Sequence, residues 1–314
     1  MSEARLRTDL AMETMADARC DSGVKSEKSS CDGVERQCVT VENDRASRAL
    51  GKAVGRYVTF SAADMCRAEM DEEARRKLAG ALARDVRGML PAQGDVMVVG
   101  LGNRHITADA LGDRVVERVL VTRHMLGGRE TDGLPGMRSV CAVAPGVMGV
   151  TGIETAEMVR GVVDRVRPAA VVVIDALAAR ELKRICTTIQ VTDTGISPGS
   201  GVGNHRVGLN RRTLGVPVVA VGVPMVVYAS VIARDALSVL TAQSGLKEGE
   251  KERAVASMME DVMRRMPEDM VVTPRQVDEL VGRVASVIAL GINQALQPEL
   301  SEMDILTLTN DHWA

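Results

Sequence analysis

Three aspartates stand at or just past the ends of apolar runs, and the functional crevice of an open α/β sheet lies beyond the carboxyl ends of its strands. Residues 96–101 run into Gly102-Asn103-Arg104-His105-Ile106-Thr107-Ala108-Asp109, residues 169–174 lead directly to Asp175, and residues 188–191 lead through Thr192 to Asp193. One aspartate at such a point serves equally well as a helix N-cap. Three in one crevice point to acid–base chemistry. Two carboxylates held within a few ångströms cannot both ionise easily, so they share a proton. One member then takes a proton from water while the other gives one to the carbonyl or leaving nitrogen of an amide. The pKa values belong to the pair and not to either residue.

Other chemistries find less support. Asp193-Thr194-Gly195 repeats the tripeptide of pepsin-type aspartic proteases, but the all-β pattern that accompanies it there is missing. Gly100-Leu101-Gly102-Asn103 lacks both the third glycine of a dinucleotide fingerprint and a Walker lysine. Its glycines are expected to let the backbone turn tightly at a strand end. Residues 197–204 form a glycine-rich loop, in which Gly199 and Gly201 flank Ser200. That loop is a surface turn or a rim of the crevice offering backbone donors to a substrate or oxyanion. No nucleophile elbow joins strand to helix. His124 reads as a helix-end histidine, whereas His105 near Asp109 is a candidate ligand or orienting donor, with no second histidine marking a metal site. The six cysteines show no C-x-x-C spacing. They are therefore read as reduced and structural or incidental thiols.

The elements that position these groups follow from periodicity. The apolar runs 96–101, 139–144, 169–174, 188–191 and 217–223 fit strands buried on both faces. Residues 63–90, 108–125, 154–166 and 176–185 carry helical spacing, with Thr151-Gly-Ile-Glu154 as a capping box for the third of these. Residues 247–253 read as a charged hinge before helices at 254–266 and 274–296, and the second of these presents Val277, Leu280, Val281, Val284 and Ile288 on one face. The expected fold is α/β, with a mixed, largely parallel central sheet flanked by helices. A core over 49–244 is preceded by a polar, exposed and partly mobile extension over 10–48 and followed by a helical segment over 245–314.

Composition narrows the function further. The chain has 314 residues, 46% hydrophobic and 26% charged, with a net charge of −3. One Trp, two Tyr and one Phe leave almost no stacking surface for bases or sugars. The balanced charge argues against direct nucleic-acid binding. No apolar run of the length of a bilayer span and no signal-peptide layout is evident, so the expectation is a cytoplasmic protein without membrane contact.

At this point whole segments resemble a known family. Gly100-Leu-Gly-Asn103, Asp109-Ala-Leu-Gly112, Val121-Thr-Arg-His124, Pro145-Gly-Val-Met-Gly-Val-Thr-Gly-Ile-Glu-Thr155, Ile174-Asp-Ala-Leu-Ala-Ala-Arg180 and Asp193-Thr-Gly-Ile-Ser-Pro-Gly-Ser-Gly-Val-Gly-Asn204 are similar to the germination proteases of spore-forming bacteria. The resemblance runs from Arg7 to about Glu299, including Val272-Thr-Pro274. It implies a fold related to hydrogenase maturation proteases and a homotetramer in the forespore and spore core. It also implies an endopeptidase that starts the degradation of small acid-soluble spore proteins, made as a zymogen that processes itself. The family's catalytic aspartates fall on Asp109 and Asp175, which leaves Asp193 in reserve with Asn103, His105, Gly199 and Gly201 in support.

Arg7-Thr8-Asp9-Leu10-Ala11-Met12-Glu13 is similar to the family's processing sequence, with an acidic residue before an aliphatic and a small one. Cleavage between Asp9 and Leu10 would release residues 1–9 as a propeptide. The chain departs from the family at Arg104, Ala108 and Asp113, where an aromatic residue and flanking prolines are usual, and at His205, where Lys is usual. Asp113, one helical turn from Asp109, is expected to raise its pKa. No cofactor or resident metal is expected. The alternative is a metal-dependent peptidase of the hydrogenase-maturation type, with the same carboxylates and His105 as ligands.

Overall fold

The structure is a computed structural model that describes residues 8–17, 23–66, 71–126, 136–199, 206–245, 247–265, 267 and 270–309. In chain order the first half comprises α1 (Ala11–Asp17), β1 (Val24–Cys31), β2 (Val34–Val41), α2 (Asp44–Leu50), β3 (Gly55–Ser61), α3 (Glu72–Met89), β4 (Val96–Gly100), α4 (Leu111–Val116), α5 (Arg123–Leu126) and β5 (Val140–Val143). The rest comprises α6 (Met148–Thr151), α7 (Thr155–Val166), β6 (Ala170–Ala179), β7 (Thr188–Thr192), α8 (Arg211–Leu214), β8 (Val218–Tyr228), α9 (Ala229–Ala242), α10 (Glu248–Met263), β9 (Val271–Val272), α11 (Val277–Leu296) and α12 (Glu302–Thr309).

Among the described residues, nine strands join one mixed sheet in the order β1-β2-β3-β7-β8-β6-β4-β5, with β9 added beside β8. The centre, β5-β4-β6-β8, is parallel, and β7, β3, β2 and β1 continue it antiparallel. Successive residues of β4 and β6 enter opposite cores, because helices cover both faces. Val98, Val172 and Ile174 pack with α3, α4 and α11, whereas Val99, Val171 and Val173 pack with α7 and α8. This is why the central strands read as unbroken apolar runs. Among the described helices, only α11 is long and apolar enough to cross a membrane, and 72% of that stretch is buried within the fold. Its Asn293 side chain accepts from Leu120 N at 2.9 Å and donates to Arg118 O at 3.0 Å, binding the chain after α4 to the core.

Five local expectations change. The polar stretch up to 48 carries a β-hairpin whose two-residue turn, Asp32-Gly33, adopts φ of +52° and +83°. Charged side chains stand on its exposed strand, yet Val39 and Val41 of β2 are buried. Residues 176–179 prolong β6 instead of starting a helix, because β8 pairs with them through Ala179. Residues 108–125 give only the short α4 and α5, as Asn293 takes up the backbone groups where the longer helix would have run. Thr151 closes α6 against Gly152 at φ +72°, and Glu154 is itself the N-cap residue of α7, so the capping box does not form. Residues 247–253, read as a hinge, open α10.

Candidate active site

Three glycines bring Asp109 to the end of β4. A Cβ on Gly112 would lie 2.2 Å from Leu101 O, one on Gly100 would lie 2.2 Å from Gly112 O, and one on Gly102, at φ +116°, would lie 1.8 Å from Asp109 O. Only hydrogen at these positions lets α4 and its preceding loop press onto the strand. The loop then closes on itself. Asn103 N donates to Asp109 O at 3.1 Å and to Asp109 Oδ2 at 2.9 Å. Asn103 thus serves the carboxylate through its backbone, while its side chain accepts from His105 N at 3.0 Å. The collar is sensitive to one methyl group. Gly112→Ala should cost about 2–3 kcal/mol, as overpacking against backbone does, and should lower activity by displacing Asp109; thermal unfolding and peptide cleavage measure the two effects.

Asp175 sits within β6, where the strand continues past the expected end, and is only 6% exposed. Its Oδ1 accepts from Ala176 N at 2.9 Å. Burial pushes its carboxyl well above the ordinary aspartate range, reinforced by the negative charges of Asp109 and Asp9, while Arg206 opposes the shift. Burial likewise pushes Asp109 up to about 6, against the Asn103 hydrogen bond and Arg206, with Asp113 adding a smaller upward push. Asp113 is 5% exposed and its own pKa is raised by burial. Two proton-retaining carboxylates, with the charge of Asp109 felt at Asp175, are the arrangement that shared-proton catalysis needs.

The third aspartate is elsewhere. β7 runs antiparallel to β8, so its carboxyl end lies toward the opposite edge of the sheet from the carboxyl ends of β4 and β6. Asp193 is exposed there, and its Oδ1 accepts from Arg56 N at 2.8 Å. The convergence of all three carboxylates is therefore corrected to two. Asp193→Ala should leave cleavage within about twofold of wild type and cost about 1 kcal/mol for the lost hydrogen bond, read by an activity assay and denaturant unfolding. Gly199 occupies a turn at φ +69°, and Gly201 lies outside the described residues. His105 is exposed on the loop before Asp109. Among the described residues no group of three His, Cys, Asp or Glu side chains is arranged to hold a metal ion.

The segment before α1 lies against this site. Asp9 N donates to Ala178 O at 3.0 Å, and Ala178 N donates to Asp9 Oδ2 at 2.9 Å. Leu10 is fully buried with Leu177, Ala179 and Val227. Glu13, 1% exposed, accepts from Arg180 N and Glu181 N, both at 2.9 Å, and from the Thr8 hydroxyl. Lys52 and Gln190, which donate to the Asp9 carbonyl oxygen, Glu13, and Arg206, whose charge is felt at both aspartates, are site residues that residue type and spacing did not single out. The acidic Glu13 four residues after Asp9 was the one visible signal, since Gln190 is one of three polar residues alternating with Ile189 and Val191 in a buried strand.

A family profile described as germination protease matches residues 4–260. Germination proteases of Caldanaerobacter subterraneus subsp. tengcongensis, Clostridium perfringens and Bacillus cytotoxicus are 42%, 37% and 35% identical to the chain. Those alignments cover 96%, 97% and 96% of this chain and 97%, 99% and 96% of the relatives. Among solved structures, the hydrogenase maturation protease HycI of Thermococcus kodakarensis matches at 16% identity and a TM-score of 0.33, over 66% of this chain and 98% of that one. With the family profile and full-length relatives in agreement, the chain belongs to the germination protease family and is a peptidase of spore germination.

Proposed function

We propose that the chain is an aspartate-dependent endopeptidase that starts the breakdown of small acid-soluble spore proteins, and that it is made as a zymogen which cuts its own Asp9–Leu10 bond. The observation that carries this reading is the pair Asp109 and Asp175, both raised by burial, with the charges of Asp109 and Asp9 also felt at Asp175. Asp175, the more deeply buried, holds the shared proton; Asp109 is the base. Asp109 takes a proton from water as the water oxygen bonds to the Asp9 carbonyl carbon. The C–N bond then breaks, and the Leu10 nitrogen takes the proton of Asp175. The products are a carboxyl group on Asp9 and an amine on Leu10.

The substrates are proteins that bind DNA, while the chain carries a net charge of −3 and four aromatic side chains, so it meets them as free or loosely held polypeptide. The family's homotetramer and its place in the forespore and spore core are part of the same proposal. Mass spectrometry of the purified chain incubated at mildly acidic pH, with and without chelator, tests it. A new N-terminus at Leu10 in both samples supports the reading. Shortening that stops with chelator overturns the metal-free mechanism, and no shortening at all overturns self-processing.

A further inference from the structure

The carbonyl oxygen of Asp9 is the acceptor of two side chains that no part of the paired-aspartate reading uses. Lys52 Nζ donates to it at 2.8 Å, and Gln190 Nε2 donates to it at 3.1 Å. Both are hydrogen bonds of ordinary length to the intact carbonyl, so a charge developing on that oxygen would meet donors already in place.

Each donor is fixed from behind. Lys52 follows the left-handed Gly51, at φ +66°, which closes α2; Gly51 N and Lys52 N both donate to Ser47 O, turning the lysine back toward the sheet. Its Nζ also donates to Thr8 O at 3.2 Å. Burial of the ammonium lowers its pKa, with Asp9 and Glu13 opposing. Gln190 is 6% exposed on β7, and its Oε1 accepts from Ala11 N at 2.8 Å, which leaves its amide N–H groups for Asp9. The register adds an independent relation. Gln190 pairs with Gly222, and Gly222 pairs with Asp175, so the amide and the acid stand in one row on one face of the sheet. Two strand spacings separate them, about 10 Å between backbones, and Leu177, which packs with Leu10, leans over the glycine between them.

We propose that Lys52 and Gln190 are the oxyanion-binding pair of this peptidase, gripping the carbonyl of the bond to be cut, in the chain's own leader and in substrates alike. The assignment rests on the endopeptidase reading above. When water adds to the Asp9 carbonyl carbon, the C=O electron pair moves onto the oxygen, and that charge falls between an ammonium and an amide already in place. Collapse of the intermediate returns the pair to the carbonyl and expels the Leu10 nitrogen. Neither donor gives up a proton.

The test uses the full chain and a peptide of residues 5–16 as substrate in trans. Lys52→Met and Gln190→Leu should each lower kcat by about 10²–10³-fold, as removal of one oxyanion donor does, with KM changed by less than about threefold. Lys52→Arg should recover part of the loss. Raised KM at unchanged kcat would make the two residues anchors of the segment and overturn the assignment, as would unchanged kinetics. Circular dichroism and thermal unfolding check the fold, and Gln190→Leu carries the test if Lys52→Met does not fold. Inactive wild type overturns the endopeptidase reading itself, whereas active wild type with unaffected variants overturns only the oxyanion pair.

Discussion

Asp109→Asn and Asp175→Asn should each abolish self-shortening and cleavage of a spore protein, by about 10²–10⁴-fold or more, while far-ultraviolet circular dichroism stays unchanged. Asparagine keeps the shape and the hydrogen bond from Asn103 N or Ala176 N but can neither take nor give the proton. The same substitution at Asp109 should also change the pH dependence of stability. Its carboxyl titrates near 6 in the fold against 3.8 for the ordinary group, so between these values the folded state binds more protons than the unfolded state. Stability linked to this group is therefore fully present below about pH 4 and is lost as pH rises through about 6. The loss is on the order of 2–3 kcal/mol at 1.36 kcal/mol per unit. Denaturant unfolding at pH 4 and pH 7 should find Asp109→Asn close to wild type at the lower value and more stable at the higher. In wild type, cleavage should fall below about pH 6 as the base becomes protonated. Wild-type rates in either variant would sink the paired mechanism.

How much of this was legible before the fold depended on whether the signal was local. The approach of Asp109 could be read because Gly100, Gly102 and Asn103 announce a tight turn after an apolar run, and the structure makes those glycines the contact between β4 and α4. Strand direction is not local. Thr188-Ile189-Gln190-Val191-Thr192 looks like any other buried strand, but it runs antiparallel to β8, and that reversal carries Asp193 away from the pair and brings Gln190 onto the row of Asp175. Residues 176–179 resisted for a different reason. An apolar run buried on both sides has no period to separate strand from helix, and only pairing with β8 decides. The Asp32-Gly33 hairpin turn was visible as a dipeptide. It was obscured because the flanking strand Val24–Cys31 is almost wholly exposed and polar, a composition that reads as loop.

Glu13→Ala should detach the leader without unfolding the molecule. The Glu13 carboxylate is buried, takes Arg180 N and Glu181 N at 2.9 Å each, receives the Thr8 hydroxyl and lies 3.2 Å from Arg184 Nε. Removing it strands two backbone donors and leaves the Arg184 guanidinium, 14% exposed, with Glu181 as a carboxylate partner at 3.1 Å, a loss of about 3–5 kcal/mol at roughly 1–3 kcal/mol per buried group left unsatisfied. The whole chain need not bear that cost, because a segment opens locally once opening is cheaper than global unfolding. Only residues 8–17 hang on this carboxylate, so the melting temperature should fall by a few degrees at most while amide exchange across 8–17 and at Ala178, Arg180 and Glu181 speeds up by about 10²-fold, which at 1.4 kcal/mol per tenfold matches the lower end of the loss. Self-cleavage should slow in proportion to the fall in the docked fraction, since the Asp9–Leu10 bond meets Lys52 and Gln190 only while the segment is docked. Asp109→Asn should show the converse, lost cleavage with unchanged exchange. If Glu13→Ala leaves both exchange and self-cleavage at wild-type rates, Glu13 is not what holds the scissile bond in place.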